Sequence, residues 1–415
     1  MNSTQPASTI QSRSERSRLS ITAAYYAAFI GLGLTNASLG PLLPHLADQA
    51  RVGLGQVSIL FTGRWLGYLL GSLLGGRIYD RRRGHPVMAV SLILAAVTMA
   101  LTPTIPLLWG LVLIMVLLGA SEASLDVGCN TLLIWLHGRK VAPFMNGLHF
   151  FYGLGALISP LIIAQAALAY GRSAWALWLI ALLLLPVAFV LLRLPSPPAP
   201  ETVAPFESGA SASMQRESNR KRWLIIFLFV LFFLTAMGAE QSFGGWIYTF
   251  AVSADLATVP AAALLTSAFW GAFTLSRLGS ILVANRLSTR AYVVISLLGC
   301  TLSLLLLNLL RFLGAGNLGV MALWLGTILF GISIAVVFPL MLSYAGERTQ
   351  IFGQVTGLFF VGLSVGGMLI PWLIGQFFET AGPYSMMVIL LLAILVSIGL
   401  FGLIDWRTKQ ASGYR

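Results

Sequence analysis

The chain is 415 residues long, 58% hydrophobic and only 9% charged, with a mean hydropathy of +0.88, which lies outside the soluble range. That length accommodates about twelve spans of roughly 20–25 residues. The net charge of +12 would suit a nucleic-acid partner, but the basic residues fall where membrane topology puts them, so no nucleic-acid partner is expected.

In chain order the apolar runs predict spans near 19–46, 54–79, 86–103, 106–136, 143–170, 173–193, 222–252, 259–285, 289–311, 317–345, 351–378 and 383–404. The first twenty residues are polar and a full-length span follows, so no cleavable signal peptide is expected. Between spans six and seven, Leu194–Arg222 opens with PSPPAP and ends in RESNRKR, the composition of a flexible linker. The expectation is an all-α integral membrane protein with twelve transmembrane helices in two pseudo-symmetric six-helix bundles. Its parts are a tail over 1–18, a bundle over 19–193, a linker over 194–222, a bundle over 223–405 and a tail over 406–415.

With the N-terminus inside, all but four of the 25 Lys and Arg fall on the cytoplasmic side. Arg277, Arg286 and Arg290 are counted there, as the cationic group between spans eight and nine. Arg51, Arg172 and Arg311 fall outside, and Arg64 lies within a span. Both termini are therefore expected in the cytoplasm, and the short loops suggest a multi-pass protein of a prokaryotic inner membrane. Cys129 and Cys300 lie within spans, and His45, His85, His137 and His149 have no zinc spacing, so neither a disulfide framework, a metal cluster nor a cofactor is expected. No nucleophile–base–acid set or phosphate loop appears, which argues against an enzyme.

An internal repeat underlies the twelve spans. GLHFFYGLGALISPLIIAQ (Gly147–Gln165) is echoed by GLFFVGLSVGGMLIPWLIGQ (Gly357–Gln376), and Asn36-Ala-Ser-Leu-Gly-Pro by Glu240-Gln-Ser-Phe-Gly-Gly, at nearly the same offset. Parallel repeats of this kind mark two-halved transporters. The copies differ in chemistry. Glu122, Asp126 and Asn130 in span four correspond to Ile334, Phe338 and Leu342 in span ten.

Only Glu122, Asp126 and Glu240 are acids deep within spans. Positions i, i+4 and i+8 share a helix face, so Glu122, Asp126 and Asn130 form a polar stripe. An uncompensated charge there costs about 2.5–3.5 kcal/mol, so the stripe must meet water or a partner. Arg64 is the intramembrane cation of the first half and is expected to pair with Asp126 or Glu122, forming an ion-coupling set of Asp126, Glu122 and Arg64. The carboxylates would exchange a proton; alternatively Asp126 and Asn130 would hold sodium through oxygen ligands. In span seven Glu240 and Gln241 precede Gly244-Gly245, which lets the helix bend beside a site. Carboxylates and amides suit hydroxyl-bearing substrates, so Asn36, Asn130, Asn146, His149, Glu240 and Gln241 are candidate substrate contacts. Trp246, Tyr248, Trp270 and Trp372 are candidates for stacking on a sugar ring, with Trp270 and Trp372 deeper in their spans.

The loop Gly76-Arg-Ile-Tyr-Asp80-Arg81-Arg82-Arg83-Gly84-His85 resembles the G-x-x-x-D-R-x-G-R-R loop of the major facilitator superfamily, with its glycine one place late and His85 as the last basic residue. The second half carries a degenerate version at Asn285-Arg286. Such a loop lets Asp80 and Arg81 act as a conformational latch across the cytoplasmic gap. Leu-Asp126-Val-Gly-Cys-Asn130 and Asn146-Gly-Leu-His149-Phe-Phe resemble the helix 4–5 pattern of the fucose–proton symporter group. With Gly238-Ala-Glu240-Gln-Ser-Phe-Gly-Gly-Trp246-Ile-Tyr248 and Gly353-Gln-Val-Thr-Gly-Leu-Phe-Phe, they are closer to its sodium-dependent glucose transporter branch. The resemblance implies the major facilitator fold and uptake of a hexose or similar polyol with a proton or sodium ion. Asp126 would carry the coupling charge and Arg64 would counter it. The rival reading is proton-driven efflux of amphipathic or drug-like compounds, faintly supported by Gly155-Ala-Leu-Ile-Ser-Pro160. A sensor or scaffold on the same fold is a third.

Overall fold

The computed structural model describes residues 7–198, 214–283, 286–348 and 353–412; most of the expected linker, and Asn285, lie outside them. The first half contains α1 (Ala7–Asn36), α2 (Leu39–Ala50), α3 (Leu54–Val57), α4 (Ile59–Tyr79), α5 (Gly84–Leu101), α6 (Leu108–His137), α7 (Ala142–Tyr170) and α8 (Ala174–Arg193). The second contains α9 (Met214–Ser253), α10 (Val259–Val283), α11 (Thr289–Asn308), α12 (Leu310–Leu313), α13 (Asn317–Ile334), α14 (Val337–Arg348), α15 (Gly353–Thr380) and α16 (Ser385–Ser412). Among the described residues there is no strand. In hydrocarbon every backbone polar group must bond within its own segment, which leaves the helix as the form these apolar runs adopt. Among the described residues, eleven spans are long and apolar enough to cross a membrane, and the pair α1–α2, bent by 44°, makes a twelfth if it is one span.

Spans one and ten are each interrupted by two residues where a continuous helix was expected. Ala37 and Ser38 separate α1 from α2, and the Thr35 and Ser38 hydroxyls donate to the Leu32 and Thr35 carbonyls at 3.0 and 2.7 Å. Such local side-chain bonds compete with the helical ladder. Ala335 and Val336 separate α13 from α14 at the corresponding place in span ten.

The tightest packing in the first bundle is α4 on α6, and the sequence of α4 explains it. Gly63, Gly67, Gly71 and Gly75 recur every fourth residue and form one buried stripe. They lie against Val112, Val116, Ala120 and Ser124 of α6, so that a Cβ at Gly67 or Gly71 would run into backbone. Small residues at this spacing let membrane helices approach backbone to backbone.

The bundles meet along α7 against α10, α3 and α4 against α15, and α2 against α9. Ser58 donates to the Trp372 carbonyl (3.4 Å), Thr62 to the Met368 carbonyl (3.1 Å) and Gln376 to the Gly55 carbonyl (2.7 Å). All three bonds lie at the end remote from the Arg77–Arg83 loop. There too Gly40 of α2 faces the carbonyls of Gly244 and Gly245 in α9, where an added Cβ would stand 3.0 and 2.8 Å from them. At the basic end the ties run within each bundle. His85 bonds the Leu194 carbonyl through Nδ1 (2.9 Å) and the Tyr25 hydroxyl through Nε2 (2.8 Å). A carbonyl only accepts, so Nδ1 carries the proton. Asp405 pairs with Arg290 (3.1 Å) and Lys409 (2.9 Å).

Candidate functional site

The α4–α6 contact that the glycines permit brings the charged side chains together. Arg64 is 6% exposed and Glu122 2%. Arg64 Nε and Nη2 donate to the two Glu122 oxygens at 2.9 and 2.5 Å, a forked pair, while Nη1 donates to the Asn36 carbonyl at 2.9 Å. Buried charges persist when paired and hydrogen-bonded; here both Glu122 oxygens are taken and each Arg64 guanidinium nitrogen has one acceptor. The third bond has a structural cause. Asn36 ends α1, where helix-terminal carbonyls lack partners, and a cation is favoured at that negative end of the helix dipole.

One turn further along both helices, Tyr68 donates to Asp126 Oδ2 and Asn130 Nδ2 donates to Asp126 Oδ1 at 2.7 Å. Arg64 therefore counters Glu122, and Asp126 has Tyr68 and Asn130 instead. Asn130 Nδ2 also donates to the Asp126 carbonyl at 2.9 Å. Two acceptors around one atom fix it as the amide nitrogen, so Asn130 turns a donor toward Asp126. Asp126 and Asn130 are partly exposed although deep in their span.

Between the bundles lies a narrow crevice with about 360 Å³ of empty space, its open mouth included. Asn36, Arg64, Trp65, Gln241, Gly244 and Trp270 are among its walls. Gln241 Nε2 donates to Glu240 Oε1 at 3.1 Å. Glu240 is 5% exposed and its Oε2 has no partner; Trp270 is 2% exposed and its Nε1 has none. A buried polar atom left without a partner costs on the order of 1–3 kcal/mol, so Trp270 in the crevice wall, and Glu240 next to the wall residue Gln241, hold hydrogen-bonding capacity that a ligand or water would satisfy.

The other expected contacts lie elsewhere. Asn146 is exposed toward the basic end of α7, and His149 is half-buried, edge-on to Phe29 with ring centroids 5.9 Å apart. Trp372 corrects the sequence expectation: it is 39% exposed on a face of α15 outside the crevice, and it offers its backbone carbonyl to Ser58. Trp246 is fully buried, donating to the Pro371 carbonyl at 3.1 Å, and so packs the core. Asp80 and Arg81, the expected latch residues, are exposed and form no ion pair with a described residue.

Three residues escaped the sequence reading. Tyr68 follows Arg64 by one turn, a spacing visible in the sequence. Tyr152 of α7 sets its ring edge-on to Trp270 at 6.3 Å. Arg277, counted with the cytoplasmic charges, lies inside the span Val259–Ser280, and its position within the predicted segment 259–285 was already a signal.

Two six-helix bundles around a polar crevice at mid-span define a multi-pass membrane transporter rather than an enzyme. The chain belongs to the Major Facilitator Superfamily, whose family model matches residues 25–371. It is similar to the sodium-dependent glucose transporter 1A of Mus musculus, at 31% identity over 84% of this chain and 88% of that one. The major facilitator superfamily domain-containing protein 4A of Pongo abelii is 26% identical over 90% and 89% of the two chains. Among solved structures, a D-xylose-proton symporter superposes with a TM-score of 0.72, at 14% identity, over 91% of this chain and 97% of its own. The nucleoside transporter NupG does so at 0.72 with 16% identity, over 95% and 99%; both show the fold alone.

Proposed function

We propose that this protein is a secondary active transporter that takes up a sugar, a hexose or similar polyol, with a cation by alternating access. The observation that carries this reading is a pair of buried, unpartnered atoms at the crevice: Trp270 Nε1 in its wall, which donates, and Glu240 Oε2 next to the wall residue Gln241, which accepts. A hydroxyl-rich ligand supplies both complements; a purely apolar cargo would leave both orphaned. The relationship to sodium-dependent glucose transporters also points to a sugar.

Asp126 is the coupling acid. Asp126 is partly exposed, and the Tyr68 and Asn130 donors hold its carboxyl as an acceptor that a cation neutralises. Both Asp126 oxygens are taken by donors without an oxygen cage, which favours a proton, whereas the relatives' names favour sodium. The Glu122–Arg64 pair joins this acid to the end of α1. The protein sits in a cell membrane, the inner one in a prokaryote, with the basic end and both termini cytoplasmic. On that orientation the present conformation is sealed outside, where α2 meets α9, and Asp80–Arg81 closes in the opposite state.

Uptake into proteoliposomes of a sugar panel, with sodium and pH gradients imposed separately, tests the proposal. Accumulation of a sugar driven by one gradient supports it and names the ion; export of an amphipathic dye with no sugar uptake would replace it with the efflux reading.

A further inference from the structure

Arg277 carries a feature that the coupling mechanism does not use. It lies on α10, inside a membrane span and partly exposed. Its Nε donates to the Ala335 carbonyl at 3.2 Å, at the break between α13 and α14. That bond repeats in the second bundle what Arg64 does at Asn36, a cation at the carbonyl end of an interrupted helix. The Phe273 ring lies 4.5 Å below the guanidinium carbon and holds the plane. The two terminal nitrogens form no hydrogen bond with a described residue. Arg64 spends its fork on a carboxylate, whereas Arg277 leaves its fork open.

The surroundings say what the fork faces. Glu240, His149 and Tyr152 are all within electrostatic reach of Arg277, yet Glu240 is not close enough to form an ion pair and keeps Oε2 unpartnered. Tyr152 in turn touches Trp270, whose Nε1 is also open. Charged donors, a carboxylate acceptor and an indole donor therefore lie near one another around Tyr152, and no hydrogen bond among the described residues joins them. An open guanidinium in a span must meet water or a ligand, because its donors have no lipid partner.

We propose that Arg277 is a substrate-binding residue, donating through its terminal nitrogens to oxygens of a neutral polyol whose neighbouring hydroxyls engage Glu240 and Trp270. This rests on the sugar reading above and narrows it to uncharged sugars. A bound carboxylate would gain the Arg277 fork but would face Glu240 across the same space. A neutral polyol bridges the acid and the base without bringing charge of its own, and its hydroxyls donate to one and accept from the other.

The test is binding to purified full-length protein, using D-glucose, D-galactose, D-mannose and L-fucose, their monodeoxy analogues, and D-glucuronate and D-galacturonate. Arg277→Gln is expected to weaken the preferred neutral sugar by about 10- to 100-fold, the range for a hydrogen bond to a charged group. Arg277→Lys, which keeps the charge but not the fork, falls between. Wild type loses affinity for one deoxy analogue in particular, and Arg277→Gln no longer distinguishes that analogue from the parent sugar, a signature that a merely structural Arg277 would not produce. Trp270→Phe, which removes one neutral donor and keeps the ring, weakens the same sugar by a few-fold. Neutral sugars bound equally well by wild type and both Arg277 variants would overturn this inference and leave the sugar reading standing. Uronates bound more tightly than neutral sugars would also overturn it. Absence of binding by every sugar of the panel would remove both.

Discussion

Arg64 and Glu122 bury opposite charges inside a membrane span, and the cost of that choice is asymmetric. Removing one partner strands the other, whereas removing both costs little. Glu122→Ala is therefore expected to lose about 3–5 kcal/mol of stability, and Arg64→Met with Glu122→Leu far less. Thermal unfolding of the variants in one detergent measures the difference; equal losses would mean that the pair is not the buried unit described. Tyr68→Phe frees one Asp126 oxygen from a charge-assisted donor. The half-saturating concentration of the coupling cation should then fall about ten-fold, and an unchanged cation dependence of uptake would remove Tyr68 from the coupling set. At this scale the sequence was partly legible. Acids in an apolar run announce themselves, and so does Arg64. Their pairing did not, because helical spacing gives the face that a residue occupies and not the register of the helix opposite.

That register is set at the level of elements, by the glycines of α4. Their stripe brings α6 close enough for Arg64 to reach Glu122 and Tyr68 to reach Asp126 one turn apart. Gly71→Val should cost about 1–3 kcal/mol by overpacking. It should also weaken coupled uptake by separating those pairs, although it adds no charge and touches neither. Uptake and stability at wild-type levels would show that close approach is not what holds the pairs. The four-residue glycine period is plain in the sequence, and hindsight shows it to be the better guide to packing. The interruptions at Ala37–Ser38 and Ala335–Val336 were not legible. Span length and hydropathy pass over them unchanged, and only the carbonyls they release, taken by Arg64 and Arg277, reveal what they do. Arg277 was misplaced for a related reason. A charge near the end of a predicted span reads as a loop residue until its side chain is seen turning back along the helix toward mid-span, the direction helical side chains take.

At the scale of the whole molecule, composition and the internal repeat carried the fold, because the bilayer admits few architectures and duplication fixes how the halves correspond. The state of the molecule follows from where the bundles touch. Gly40 lets α2 approach the α9 backbone at Gly244 and Gly245, so Gly40→Val should block closure at that end. A cysteine placed at Ser58, buried against α15 in the sealed state, should then react with a membrane-impermeant reagent added outside faster than in the wild-type background, and an unchanged rate would place the outer seal elsewhere. The central claim is that Asp126 changes occupancy during turnover. Its most direct test is accumulation of the transported sugar in proteoliposomes by wild type and Asp126→Asn, each under an imposed cation gradient and again in equilibrium exchange. The account predicts that Asp126→Asn loses gradient-driven accumulation and retains exchange; accumulation equal to wild type would contradict it.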